Sequence, residues 1–305
     1  MSDLQRRTRV KARYKAPRPK RKFVDLPVPA KFSIINNPEE MNVFFQKLAR
    51  RGASNHISLD LTGVSLITTE AIAALTAKLS SMRSTTVRGN LPVDNCARQV
   101  LLQSGFFEHV RSVTPLPQGQ LGKIKERNSK QVEATTAREL IECGVSQAFG
   151  NLIKSDATRA TYMALIELMG NTHNHASGKR LEVEPWWATA YGDAVRKRVC
   201  YSFLDTGVGI FKSVKMSPFQ RTFRKLGFGN NAQLLKEILA GLIESRTGLP
   251  YRGKGLPTIY QKSQGGDLKS LFIIANDVFA DIPNGVYRTL ETPFPGTLFY
   301  WECEE

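Results

Sequence analysis

The stretch Ala164–His175, ALIELMGNTHNH, decides how the rest of the chain is read. On a helix, residues four apart stand one turn apart on one face, so the Glu167 carboxylate, the Asn171 amide and the His175 imidazole form a polar row. Tyr162, Leu165, Ile166 and Met169 supply an apolar stripe beside it. A polar row next to such a stripe is either a solvated face or the floor of a site, and the row alone does not choose. The sequence around it does.

Upstream, VEATTARELIECGVSQAFGN predicts a preceding helix, and Ser155 or Asp156 can cap the helix that carries the row. Downstream, LEVEPWWATAY and RKRVCYSFLD predict two strands joined across GDAV. The second strand runs into Asp205–Ile210, DTGVGI. Paired glycines after a strand let the backbone approach a ligand closely, and the aspartate can accept a hydrogen bond from an amino group; a tight turn explains them equally. Gly253–Leu256, GKGL, leads into the helix LPTIYQKSQ, where a loop can offer N–H groups to phosphates or serve only as a flexible turn. Last, PGTLFYWEC sets Thr297 at the opening of a final strand.

At 305 residues, with 41% hydrophobic and 9% aromatic side chains, the chain has the length and composition of about two globular domains. No run approaches the roughly 18 to 20 apolar residues of a membrane span, and Arg6, Arg7 and Arg9 are not followed by the apolar core of a signal peptide. A cytoplasmic protein without a membrane span is expected. Cys96, Cys143, Cys200 and Cys303 are isolated, which predicts reduced and mostly buried thiols rather than a metal or redox motif.

The net charge of +16 is concentrated in two places. Residues 1–22 hold ten Lys or Arg against Asp3, and residues 211–254 hold nine against Glu237 and Glu244, so these segments carry +9 and +7. The rest of the chain is neutral. The first segment reads as a basic disordered tail that either solubilises the protein or contacts nucleic acid, an acidic partner or an anionic surface through salt-sensitive attraction.

Residues 23–115 alternate strand and helix patterns: a strand at KFSIIN, a helix at PEEMNVFFQKLARRG, a strand at HISLDLTGV and a helix at TTEAIAALTAKLSSMR capped by Thr68 or Thr69. A short strand near Ser84–Gly89 and the helix DNCARQVLLQSG complete a small sheet covered by helices. Within it, Ile57–Leu75, ISLDLTGVSLITTEAIAAL, resembles the STAS domain of bacterial anti-sigma-factor antagonists, and ARQVLLQSGFFEHV resembles that domain's last helix. In regulatory members a serine at the start of the helix takes phosphate from a partner kinase. The matching position here is Glu70, which cannot, so the resemblance implies a docking or dimerising module unless Thr69 takes that role. LPQGQLGKIKERNSK, within residues 116–130, reads as a linker.

ExxxN on a helix, DxGxG after a strand, GxGL before a helix and a late GT occur in that order over residues 131–305. Together they resemble the GHKL superfamily of ATP-binding domains, shared by DNA gyrase, heat-shock chaperones and histidine kinases. The resemblance implies an α+β fold of Bergerat type: a two-layer sandwich of helices on a mixed, mostly antiparallel sheet, with the STAS-like α/β domain smaller and N-terminal. It further implies that Asn171 coordinates Mg²⁺ and that Glu167 is the general base. Asp205 would hold the adenine amino group, flanked by Gly207, Gly209 and Ile210 and supported by Thr297. Gly253, Lys254, Gly255 and Leu256 would form the phosphate-facing end of a lid, and His175 a supporting position. The basic segment between the glycine boxes, with a helix expected from Asn231 to Glu244, would be that lid.

Three functions follow from these readings. One is a Mg-ATP-driven conformational switch or slow ATPase acting on a homodimer or protein partner. Another is a serine/threonine kinase of the anti-sigma type. The third is a nucleotide-gated nucleic-acid-binding module using the tail and lid. A sensor histidine kinase is disfavoured, because His56 and His109 lie outside any dimerisation-helix pattern.

Overall fold

The computed structural model describes residues 22–82, 84–104, 106–116, 125–129, 131–151, 155–175, 185–212, 230–243 and 255–304. The basic tail up to residue 21, most of the basic segment 211–254 and, within it, Gly253 and Lys254 lie outside the described residues. The described chain is α+β, built on a four-stranded parallel sheet, a two-stranded parallel pair and a seven-stranded antiparallel sheet.

The first unit comprises β1 (Phe23–Pro27), β2 (Lys31–Phe32), α1 (Pro38–Gly52), β3 (His56–Asp60), β4 (Leu66–Ile67), α2 (Thr69–Ser81), β5 (Val87–Gly89), α3 (Asn95–Gln103), α4 (Phe106–His109) and β6 (Arg111–Ser112). Its main sheet runs β1-β3-β5-β6, all parallel, as helical crossovers between successive strands require. The strand expected at KFSIIN shrinks to β2, paired with β4, while FVDLP forms the edge strand β1. Pro27 closes that strand, a position where its missing N–H costs no ladder bond.

The second unit comprises β7 (Lys125–Ser129), α5 (Ala134–Phe149), α6 (Asp156–His175), β8 (Trp186–Asp193), β9 (Arg198–Asp205), a 3₁₀ turn at Ile210–Lys212, α7 (Asn231–Leu239), α8 (Gly255–Gln264), β10 (Lys269–Ala275), β11 (Val278–Asp281), β12 (Val286–Thr289) and β13 (Thr297–Glu304). Its seven strands lie in the order β12-β11-β10-β13-β9-β8-β7 and pair antiparallel throughout. Residues 125–129, expected within a linker, are therefore an edge strand. KERNS carries no apolar alternation to signal a strand, and charged residues suit an edge.

Period-two alternation splits this sheet between two cores. Trp186, Tyr201, Phe203, Ile273, Phe299 and Trp301 face α5 to α8, whereas Trp187, Leu204, Phe272, Ile274 and Leu298 join the core of the first unit. A sheet buried on both faces reads as continuous apolar runs, which explains TLFYWEC. On the helix side, α5 comes close enough to β8 that a Cβ on Gly192 would stand 2.3 Å from the Gly144 carbonyl oxygen. Trp301 Nε1 donates to Thr161 Oγ1 at 3.2 Å, tying α6 to the middle of β13.

On the opposite side α2 lies across β8 and β9. Asn42 Nδ2 donates to the Thr292 carbonyl at 2.7 Å, and the Glu39 carboxylate accepts from the Glu291 and Thr292 amides at 3.0 and 3.2 Å. Glu70 is fully buried at this junction. It accepts from Ser33 Oγ at 3.2 Å and from Thr68 Oγ1, while Oε2 has no hydrogen-bond partner among the described residues. Burial raises its pKa above the ordinary 4.5. The four cysteines are all free thiols, but only Cys200 and Cys303 are buried; Cys143 is half-buried and Cys96 exposed. Burial pushes both buried thiols up to about 11, so they stay protonated and inert. No described helix is long and apolar enough to cross a membrane.

Candidate functional site

The helix that carries the polar row starts with a reciprocal cap: Ser155 N donates to Thr158 Oγ1 at 2.9 Å and Thr158 N to Ser155 Oγ at 3.2 Å. From that start, Ala164, Leu165, Leu168 and Met169 are buried against the sheet, and Tyr162 and Ile166 pack at the margin of the same core. Glu167 is left exposed and Asn171, one turn on, half-buried. His175 ends the helix, and its side chain lies outside the described residues.

The second glycine box reaches this row directly. Gly255 is the first residue of α8, and Glu167 Oε2 lies 2.4 Å from where a Cβ of Gly255 would stand. Leu256 follows, partly buried against the helix-side core.

The first glycine box surrounds Asp205 at the end of β9. Asp205 pairs with Trp186 on β8 and with Thr297 on β13, so both neighbouring strands fix its backbone. Alternation from Tyr201 and Phe203, and from Phe299 and Trp301, puts the Asp205 and Thr297 side chains on the helix-bearing face. Gly207 N donates to Asp205 Oδ1 at 2.6 Å. A Cβ on Gly207 would meet that oxygen at 2.7 Å, and one on Gly296 would stand 1.9 Å from the Asp205 carbonyl oxygen. Beside this carboxylate, Thr297 Oγ1 is buried with no hydrogen-bond partner among the described residues. A buried hydroxyl left orphaned beside an acid is costly unless a ligand or water satisfies it.

Gly209 has φ +79, and a Cβ there would overlap Asn276 Oδ1 at 2.0 Å. Ile210 is buried in the helix-side core rather than lining an open surface. Three loops thus meet at one end of the sheet: residues 206–209, the β10–β11 turn at Asn276, and the approach to β13, where Asn276 N donates to the Gly296 carbonyl at 3.1 Å.

Asn276 and Gly296 belong to this cradle although neither stands out in the sequence. Gly296 shares the PGT that signals the last strand, but its left-handed φ of +114 and its contact with Asp205 emerge only on folding. At the other end of β9, Glu302 accepts from Arg198, Tyr300 and Ser270 at 2.7, 2.6 and 3.1 Å, a buried network that ties β9, β10 and β13 together. Among the described residues no three His, Cys, Asp or Glu side chains are grouped to hold a metal ion.

In comparisons with known proteins, no family model and no curated protein matches the chain.

Proposed function

We propose that the chain binds Mg-ATP as GHKL proteins do and works as an ATP-driven conformational switch or slow ATPase. The observation that carries this reading is the cradle at Asp205: a carboxylate held by Gly207 N–H, walled by glycine backbone and set beside the orphaned Thr297 hydroxyl. Such a cradle suits a ligand with an amino group, because the carboxylate can accept a hydrogen bond from it.

In this reading Asp205 holds the adenine amino group and Thr297 supplies a hydroxyl to it directly or through water. Gly207 and Gly209 let the chain pass the base, with Ile210 buried behind them. Asn171 would be the protein's ligand to Mg²⁺, and a site with one protein amide needs no acidic cluster. When bound, Mg²⁺ neutralises charge on the phosphates. Glu167, exposed and one turn before Asn171, takes the proton from the attacking water. Gly253, Lys254 and Leu256 would face the phosphates, while Gly255 lies against Glu167.

The first unit, read as a STAS-like module, would couple the nucleotide site to a partner or a second copy. Thr69 and Glu70 are buried where it meets the sheet, which weighs against phosphate transfer at the matching position and supports a docking role. Labelled ATP separates the readings: free phosphate alone identifies an ATPase, and label on this chain or a protein partner identifies a kinase.

The deciding measurement is calorimetric Mg-ATP binding to wild type and Asp205→Asn. Asparagine can keep the acceptor for Gly207 N–H but turns the second oxygen into a donor facing the ligand. Losing a charge-assisted hydrogen bond costs about 1.5–3 kcal/mol, so affinity should fall about 10- to 100-fold. Equal binding by both proteins refutes the assignment. Glu167→Ala should bind Mg-ATP and release no phosphate.

A further inference from the structure

Gly255 opens the ten-residue helix α8, and its φ is outside the left-handed region, so backbone conformation does not require glycine there. Helix propensity favours almost any other residue. What demands glycine is space: a Cβ would stand 2.4 Å from Glu167 Oε2, 3.1 Å from Glu167 Cδ and 3.4 Å from Glu167 Cβ. The Glu167 side chain therefore lies across the bare face of Gly255. Gly170, on the same helix as Glu167, has nothing within 4 Å of its missing Cβ among the described residues, so the crowding there belongs to the contact between the two helices.

We infer that Gly255 is a positioning residue for Glu167. Its missing side chain gives the carboxylate one resting place against the start of α8, where the partial positive charge of a helix N-terminus favours an anion. The consequence for turnover rests on the function proposed above; the contact itself does not. In this assignment the last glycine of GKGL serves the general base rather than the phosphates. A methyl group at 255 would meet the far end of an exposed, flexible side chain, so the protein folds and the carboxylate moves.

The test uses the full chain with Gly255→Ala, with Gly170→Ala as control. Gly255→Ala should leave Mg-ATP affinity within about twofold while kcat falls on the order of 10- to 100-fold, the penalty typical of a misplaced catalytic group. In a Glu167→Asp background, where the carboxylate is one methylene shorter and clears the methyl, the same substitution should cost less than threefold. Weaker Mg-ATP binding with kcat unchanged, or an equal loss in both backgrounds, overturns the inference.

Urea unfolding supplies a readout independent of nucleotide. Gly255→Ala should raise the midpoint more in a Glu167→Ala background than in wild type, because only wild type has a side chain to displace. Identical shifts in the two backgrounds overturn the contact. Absence of ATP turnover in wild type would sink the proposed function, and the unfolding cycle would still decide the contact.

Discussion

Glu70 offers a quantitative test of how the two units are joined. Its carboxylate is fully buried beneath the sheet, with acceptor bonds from Ser33 and Thr68 on one oxygen and none on the other among the described residues. The β9 and β13 side chains that sense its charge are Cys200 and Tyr300, neither of them a cation. Desolvation dominates, so the folded protein holds the proton on Glu70 to higher pH than the unfolded chain does. Between the ordinary value of 4.5 and the raised folded value, the folded state binds more protons, and stability falls as pH rises. The contribution is complete below that window and lost above it. The magnitude follows from leaving one buried charged oxygen unpartnered, which costs at least the roughly 1–3 kcal/mol of a neutral group.

Glu70→Gln keeps an acceptor for Ser33 and Thr68 and removes the titration. Urea midpoints measured from acid to neutral pH, read by fluorescence of Trp186, Trp187 and Trp301, should decline with pH in wild type and run flatter in the variant. Asp60 acts in a separate range: hydrogen bonds from Asn90 and Thr62 lower its pKa below 3.8, so its contribution disappears only on further acidification. Parallel wild-type and Glu70→Gln curves above pH 4.5 would refute a buried, protonated Glu70 at the junction.

Two further substitutions probe the cradle and the shared core. Gly296→Ala places a methyl 1.9 Å from the Asp205 carbonyl oxygen at a φ of +114, and should cost about 3 kcal/mol or more in urea unfolding; a loss under 1 kcal/mol would disprove the crowding. Leu298→Ala empties a position on the sheet face that packs with the first unit, with an expected loss of about 2–5 kcal/mol. Because that core is shared, near-UV circular dichroism and tryptophan fluorescence should still report one coincident transition, and two separated transitions would show that the units unfold independently.

How much of the fold was legible depends on how local its causes are. The helix at Asp156–His175 was readable from spacing and from Ser155, since a 3.6-residue period and a cap act within a few residues. The hairpin from Trp186 to Asp205 and the final strand were readable for the same reason. The region from Lys269 to Thr289 was not legible, because a short apolar run such as KSLFIIA suits a buried strand or a buried helix segment equally. β7 had no hydrophobic signature at all, and β1 was masked by its closing proline. Ile210 belongs to a motif that suggests a ligand, yet its burial in the core depends on the helices that cover it.

The amino-acid sequence by itself determined the row of Glu167 and Asn171 on one helix face, the aspartate and glycines that follow a strand, and the glycine that opens α8. Each arises from periodicity or backbone freedom over a few neighbouring residues. Only the tertiary structure decided that Asp205 pairs with Thr297 and is walled by Gly296, that Gly255 yields its space to Glu167, and that Glu70 is sealed beneath the sheet. Those outcomes depend on which surfaces meet, and desolvation and close contact act between residues far apart in the chain.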